Sequence, residues 1–344
     1  MRGYLENRYK DALDAEGPIL LGGIEYDSSD VFKVYAPNDY EAKFTEWLAD
    51  HKTAVRQRVS EELESNGCLP RFNRLAEKQL NQQILPFVGA GMSKSSGFVM
   101  WRQFIEDVAR IDLALLKTVK RLINAGDYEG AAQCICETQN ENRLAEQIEN
   151  YFDRQYFEVQ GPVQLLPLFF QLGCVTTNFD RVLEKIFEEK GHEFVTTYAG
   201  QQILDAPRNS ANSQHALFKL HGHANSANGR ILTTNEYDQA YSNDAALPRL
   251  MEFLASNRSF LFLGSSLSID RNIKALQQIK ADAPLNYSRH YAFLQDPGKA
   301  SRERRAAELE KAEIYPIWYP VEDQDVDHDK WIEDYLVALE GGPL

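Results

Sequence analysis

Long apolar runs are missing from this sequence. No stretch of its 344 residues approaches the roughly 20 apolar positions that a helix needs to cross a bilayer. The opening Met1-Arg2-Gly3-Tyr4-Leu5-Glu6 has no apolar signal region either, so the expected compartment is the cytoplasm. Cysteine is scarce. Cys68, Cys134, Cys136 and Cys174 are scattered, form no Cys-x-x-Cys pair and read as reduced thiols, which excludes a structural zinc ribbon. Positive charge is also short. With 37 Lys and Arg against 51 Asp and Glu, the net charge of −14 should repel nucleic acid and anionic membranes, and neither is expected as a direct partner. Internal repeats and low-complexity segments are absent.

What is present is an ordinary globular composition, 43% hydrophobic and 26% charged, long enough for one large domain with appendages. One stretch organises the rest: Gln83-Ile84-Leu85-Pro86-Phe87-Val88-Gly89-Ala90-Gly91-Met92-Ser93. Its apolar run suits a strand buried on both faces of a parallel sheet, and Gly89 and Gly91 allow a sharp turn and close backbone approach. Ser93 and Ser95 can cap a following helix, whose free N–H groups would face a diphosphate. A glycine turn without any ligand is the competing reading, and this stretch alone leaves it open. The spacing does argue against a nicotinamide dehydrogenase: the third glycine of that fingerprint would stand at position 94, which is Lys94.

Residues 1–80 read as an N-terminal appendage. Ile19-Leu20-Leu21 and Val31-Phe32-Lys33-Val34-Tyr35 are strand-like, and a long helix opens at Asp39 with Phe44, Trp47, Leu48, Val55 and Val59 near one face. This appendage could serve oligomerisation, with Phe44 and Trp47 as contact residues, or merely cover a sheet edge. Residues 81–320 read as the main domain, with a helical module inserted at about 103–160: one helix from Trp101 to about Asn124, then Tyr128–Thr138 and Glu141–Phe157. Strands at Cys174–Thr177, Ala216–Leu220, Ser259–Leu263, Tyr291–Leu294 and Ile314–Trp318 alternate with helices at Arg181–Glu189, Leu247–Ser256, Asp270–Lys280 and Glu303–Ala312. That alternation predicts an α/β fold with a Rossmann-like, doubly wound parallel sheet. Residues 321–344 read as an acidic loop, Glu322-Asp323-Gln324-Asp325-Val326-Asp327, and a terminal helix.

Four polar clusters each follow a predicted strand: Gly89-Ala90-Gly91, Asn178-Phe179-Asp180, His221-Gly222 and Gly264-Ser265-Ser266. Ligands of open parallel sheets bind outside the carboxyl ends of the strands, so the four should converge on one crevice. Taken singly, Asn178 and Asp180 could be helix caps, His221 a turn residue and Gly264–Ser266 a capped turn. Asn178 can donate and accept hydrogen bonds, and His221 can act as a base near neutral pH.

In this order, Gly89-Ala90-Gly91-Met92-Ser93, Thr176-Thr177-Asn178-Phe179-Asp180, Leu220-His221-Gly222 and Gly264-Ser265-Ser266 resemble the sirtuin pattern over about residues 83–320. Tyr237 and Ser266-Leu267-Ser268-Ile269-Asp270 resemble the bacterial sirtuin-like NADase branch of antiphage defence systems. The resemblance implies NAD+ as substrate, with Asn178 and His221 as the catalytic pair and Asp180 orienting the ribose or nicotinamide pocket. It implies that Gly89, Ala90, Gly91 and Ser93 hold the diphosphate beside Thr177, and that Gly264, Ser265 and Ser266 hold the adenosine side. The family loop that covers NAD corresponds to Gly97-Phe98-Val99-Met100-Trp101-Arg102, where Trp101 and Arg102 are kept in kind and the proline is lost. His223 is the runner-up to His221, while His192, His215, His290 and His328 read as surface or structural.

The four-cysteine zinc module of deacylating sirtuins is absent after the histidine, which weakens an NAD-dependent deacylase reading and leads us to expect no metal. Three readings follow: an NAD+ glycohydrolase acting as an NAD-depleting effector, a deacylase, and a non-catalytic subunit that binds NAD or ADP-ribose. An unrestrained NADase would harm its own cell, so control by a second protein, by self-assembly or by both is expected, with a homo-oligomer anticipated. By resemblance the leading partner is a HerA-like ring ATPase, and relatives fused to sensor domains or paired with short Argonautes are the alternatives.

Overall fold

The computed structural model of the chain describes residues 1–200, 203, 215–227, 229–242, 245–267, 271–282, 288–322 and 326–344. Residues 268–270 and 323–325, which fall within the Ser266–Asp270 resemblance and the acidic run, lie outside the described residues. The N-terminal segment forms α1 (Arg2–Asp14), a hairpin of β1 (Ile19–Leu21) and β2 (Ile24–Tyr26), α2 (Ser28–Tyr35), α3 (Pro37–Ser65) and α4 (Leu69–Leu80). Then comes β3 (Ile84–Val88), buried at every position. The inserted helices are α5 (Trp101–Ala109), α6 (Leu113–Asn124), α7 (Tyr128–Gln139), α8 (Glu141–Phe152) and the short α9 (Leu166–Phe169). The chain continues through β4 (Gly173–Thr176), α10 (Val182–Glu189), β5 (Thr196–Ala199), β6 (Ala216–Lys219), α11 (Thr234–Ala240) and α12 (Ala246–Asn257). It ends with β7 (Ser259–Leu263), α13 (Arg271–Asp282), β8 (His290–Gln295), α14 (Lys299–Glu310), β9 (Ile314–Tyr319) and α15 (Val326–Glu340).

Among the described residues the main sheet has seven strands in the order β5-β6-β4-β3-β7-β8-β9, and every pair is parallel. Without the edge strand β5, the order is third, second, first, fourth, fifth, sixth, the doubly wound Rossmann order that the alternation predicts. The winding reverses between β3 and β7, so the crevice expected to take a ligand lies where the turns after those strands diverge. No helix among the described residues is long and apolar enough to cross a membrane.

Several local expectations change. The alternating segment Val31–Tyr35 is helical, because the Asp14 carboxylate accepts from the Ser29 N–H at 2.7 Å and its hydroxyl at 2.9 Å, anchoring the start of α2. The single helix expected from Trp101 to Asn124 is two, since Asp112 accepts from the Ala114 and Leu115 N–H groups and starts a new helix. Phe44 is fully buried against Tyr9 and Tyr40, with Trp47 partly buried beside them, so neither presents an open contact face. The exposed apolar residues of this region lie elsewhere: every position of β1 and β2 is exposed, with Leu20 at 66% and Ile24 at 59%.

Helix α15 packs on α3, and two of its carboxylates are clamped, one by α3 and one by α1. Asp334 takes a two-pronged contact from Arg58 at 2.8–3.0 Å, while Glu333 accepts from the Tyr4 hydroxyl at 2.6 Å and Arg8 at 2.8 Å. Within the sheet, His290 is wholly buried and its Nδ1 accepts the Phe260 N–H at 3.0 Å. Burial pushes its pKa down to about 3. The unfolded chain therefore binds a proton near pH 6.5 that the folded state refuses. Stability present above that pH is lost as pH falls towards 3, at ~1.4 kcal/mol per pH unit for such a histidine. Denaturant midpoints measured between pH 7 and 4 should fall, and His290→Gln, which keeps an acceptor for Phe260, should flatten the fall. Equal slopes in both proteins would contradict this account.

Candidate active site

The turns after β3 and β7 touch where the winding reverses. The Gly89 N–H donates to the Leu263 carbonyl and the Gly91 N–H to the Gly264 carbonyl, each at 2.8 Å. A Cβ on Gly89 or Gly91 would stand 2.7 or 2.8 Å from the Gly264 oxygen. Gly264 itself has φ +65°, and a Cβ there would stand 2.5 Å from the Met92 nitrogen. The three glycines are thus demanded by one another. Ala90, half-buried, opens a single 3-10 turn, Ala90–Ser93, and the next helix waits until Trp101. This corrects the expected helix start at Ser93 and Ser95: the Gly91 amide is spent on Gly264, Ser93 turns towards Asn178, and the Ser95 hydroxyl bonds Asp329.

Ser93, Asn178 and Asp180 form a buried relay. Asn178 Nδ2 donates to Ser93 Oγ at 3.2 Å, and the Ser93 hydroxyl in turn bonds the Asp180 carboxylate. Asn178 is held from below as well, its N–H donating to Thr176 Oγ1 at 3.0 Å while that hydroxyl donates to the Val88 carbonyl at 2.8 Å. Its Oδ1 is buried and meets no hydrogen-bond partner. Asp180 also accepts the Val182 N–H at 3.0 Å, so it starts α10 as well as joining the relay. Burial pushes its carboxyl upward, opposed by Lys219, the Val182 N–H and Ser93. Thr177 is half-buried in the same loop.

Lys219 went unnoticed in the sequence. It is fully buried at the end of β6, and its Nζ donates to the Phe179 and Asp180 carbonyls at 3.4 and 2.5 Å and to Glu184 Oε1 at 2.8 Å. The only sequence cue was a charged residue closing an apolar strand two positions before His221.

His221 is 5% exposed and lies beneath α11. Its Nε2 stands 3.2 Å from the Tyr241 hydroxyl, and its Nδ1 stands 3.4 Å from the Tyr237 hydroxyl. Tyr241 donates to Asn272 Oδ1 at 2.7 Å, so it can accept a proton bond from Nε2, leaving Nδ1 as the acceptor facing Tyr237. Burial pushes the imidazole pKa down to about 3, so the ring is neutral throughout the physiological range. Helix α11 is tied down in turn by Arg271, which pairs with Asp238 at 2.7 Å and with Glu129 of the insert at 2.8 Å. A capping box at Thr233 and Glu236 begins it, a signal readable in the sequence and missed.

A cavity of about 600 Å³ opens from the glycine junction towards the ends of β8 and β9. Gly91, Gly264, Ser265 and Ser266 line it together with Arg304, Arg305, Tyr319 and Asp329. Arg305 donates to the Ser266 carbonyl at 3.1 Å and to that of Leu267, holding the turn after β7. His328, set aside as surface or structural, also lines the cavity and meets the Tyr319 hydroxyl at 2.9 Å. Asn178, Asp180 and His221 are not in its wall: they lie across the junction. Trp101 packs between Phe152 and Phe179, with ring centroids 5.4 and 5.1 Å away, behind the Asn178 loop. Arg102 is not brought there, being tied to Glu106 and Asn124 on the insert. His223 faces a separate recess beside Arg181 and Glu184.

Residues 173–317 match the SIR2-like domain. The match begins at β4, so the glycine turn after β3 lies outside it. The chain is 27% identical over 228 residues to an NAD(+) hydrolase ThsA from Bacillus cereus, covering 65% of this chain and 44% of that protein. Similar proteins of the same name from Cytobacillus dafuensis and Enterococcus faecium are 23% and 24% identical, covering 67% and 66% of this chain and 49% and 45% of their own lengths. The matched segment thus spans less than half of these distant relatives. A solved structure titled "Structural Basis for the Mechanism and Regulation of Sir2 Enzymes" aligns with a TM-score of 0.40 at 12% identity, covering 78% of this chain and 97% of that one.

The junction gives a test of its own. Gly264→Ala meets both a left-handed backbone and the Met92 nitrogen, and should cost about 2–4 kcal/mol in denaturant unfolding. Gly67→Ala, also left-handed at φ +75° after α3 but in open space, should cost about 1 kcal/mol. Equal losses would show that backbone strain alone, and not the contact, sets the requirement.

Proposed function

We propose that this protein cleaves the nicotinamide–ribose bond of NAD+, releasing nicotinamide and ADP-ribose. The observation that carries the reading is the Ser93–Asn178–Asp180 relay beside the glycine junction, with the Asn178 Oδ1 buried and unpartnered. An unpaired buried acceptor is costly, and a ribose hydroxyl or an attacking water would satisfy it. The distant NAD(+) hydrolases and the SIR2-like match support the same substrate.

The chemistry asks little of an acid, because nicotinamide departs as a neutral base from an oxocarbenium-like sugar. The protein must hold the ribose, limit water and place one nucleophile. Asn178 orients the hydroxyl or the water, Asp180 holds Ser93 and through it Asn178, and the cavity at Gly264–Ser266 receives the adenosine side. For His221 to serve as base, the hydroxyls of Tyr237 and Tyr241 must leave its ring nitrogens, by rotation of those side chains or a shift of α11. That enclosure favours a second reading: a subunit that binds NAD or ADP-ribose without turnover. No cluster of metal-ligating side chains occurs among the described residues, and the proposed reaction uses none.

Nicotinamide release from NAD+ without any acylated peptide separates the readings. Asn178→Ala and His221→Ala should each lower turnover about 10²- to 10⁴-fold in folded protein, and chelators should leave it unchanged. NAD binding without nicotinamide release would install the second reading.

Depletion of NAD as an antiphage effector belongs to the same proposal and rests on family resemblance. Such an enzyme needs restraint, and we assign it to self-assembly and to a partner, a HerA-like ring ATPase by that resemblance. The exposed apolar hairpin Ile19–Tyr26 gives self-assembly a surface with open strand edges. Light scattering should show an oligomer that Leu20→Lys with Ile24→Lys reduces in mass. A monomer that turns over NAD fully at low concentration would refute this assignment.

A further inference from the structure

At the sheet edge opposite the candidate active site, Arg71, Arg74, Arg289, Tyr291 and Tyr315 enclose a pocket of about 260 Å³. Tyr291 and Tyr315 are the second residues of β8 and β9, whereas the active-site cavity is lined by residues at the far ends of the same strands. Arg71 and Arg74 stand three positions apart on α4, so they share a face, and Arg289 immediately precedes β8. The guanidinium groups of Arg71 and Arg289 lie 5.8 and 5.3 Å from the centre of the Tyr315 ring.

The charges here do not cancel. Arg71 meets Glu310 at 3.0 Å, and the nearby Glu313 is engaged by Lys280 and by the Tyr315 hydroxyl. Among the described residues Arg74 bonds only the Pro70 carbonyl of its own helix, and neither it nor Arg289 pairs with a carboxylate. That surplus is conspicuous in a chain of net charge −14. The second sign is Tyr291, which is 2% exposed and whose hydroxyl has no hydrogen-bond partner. Burial, with a smaller push from Glu77, raises its pKa while Arg74 and Arg289 act in the opposite direction, so the phenol keeps its proton and both cations stand near it.

We propose that this pocket binds a small phosphate-bearing anion, gripped by Arg74 and Arg289 and receiving a hydrogen bond from the Tyr291 hydroxyl. Planar guanidinium forks match phosphate oxygens, and the buried phenol supplies the donor that fixes orientation. The volume admits a phosphate or diphosphate group and leaves any attached nucleoside outside. The proposal goes beyond the NADase reading and shares no residue with it.

Calorimetric titration of the intact chain with inorganic pyrophosphate, at ionic strength matched with chloride, tests it without reference to NAD turnover. Saturable binding at one site is expected, weakened about tenfold or more by Arg74→Gln and by Arg289→Gln. Tyr291→Phe should weaken it too while leaving the thermal midpoint of the anion-free protein unchanged or higher, since the deleted hydroxyl has no partner. Binding that all three variants leave intact places the anion elsewhere and overturns the proposal. So does the absence of saturable binding, or an effect that chloride reproduces at equal concentration.

Discussion

The contact between two backbone turns, with no side chain between them, is the constraint on which the carboxyl edge of the sheet depends. Gly89, Gly91 and Gly264 bring the loops after β3 and β7 within hydrogen-bonding distance. Any side chain at the junction would push the loops apart and break the bond between the Gly91 amide and the Gly264 carbonyl. Because those amide and carbonyl groups satisfy each other, the turn after β3 closes as a short 3-10 segment, and Ser93 is delivered to Asn178. Packing at the centre of the sheet therefore sets the geometry of polar groups several residues away.

The junction also divides the site into unlike halves. Towards β8 and β9 there is an open, partly basic cavity; towards β4 and β6 there are enclosed polar groups whose hydrogen bonds run mostly among themselves. Low dielectric makes a satisfied network rigid and an unsatisfied atom expensive. The Ser93–Asn178–Asp180 relay shows both conditions at once, since all three side chains are bonded and a single Asn178 oxygen is not. His221 lies within the same enclosed half, neutral under its two phenols.

The strands were readable because β3 and β7 are continuous apolar runs bounded by turn residues, and the bounds read for Ser259–Leu263 coincide with those of β7. The four polar clusters were readable because each follows such a run. What escaped was set by contacts distant in sequence or by short local signals. Val31–Tyr35 alternates like a strand, yet the Asp14 carboxylate fixes it as a helix. Strand β5 has only four residues at the sheet edge, three half-exposed and Tyr198 buried, too few for a period to show. Asp112 divides a helix whose apolar stripe reads as unbroken. Lys219 and Tyr241 acquire their roles only from partners 20 to 40 positions away, so no local spacing announces them.

Lys219 acts as a mechanical link. One amine from β6 grips two carbonyls of the loop after β4 and a carboxylate of α10, and it stands two residues before His221. The loop bearing Asn178 and the turn after β6 that bears His221 are consequently tied together, whereas α11 is also fastened from outside by Arg271. One guanidinium therefore joins the insert at Glu129 to the cover over the histidine at Asp238, so a shift of the insert would be felt at that cover directly.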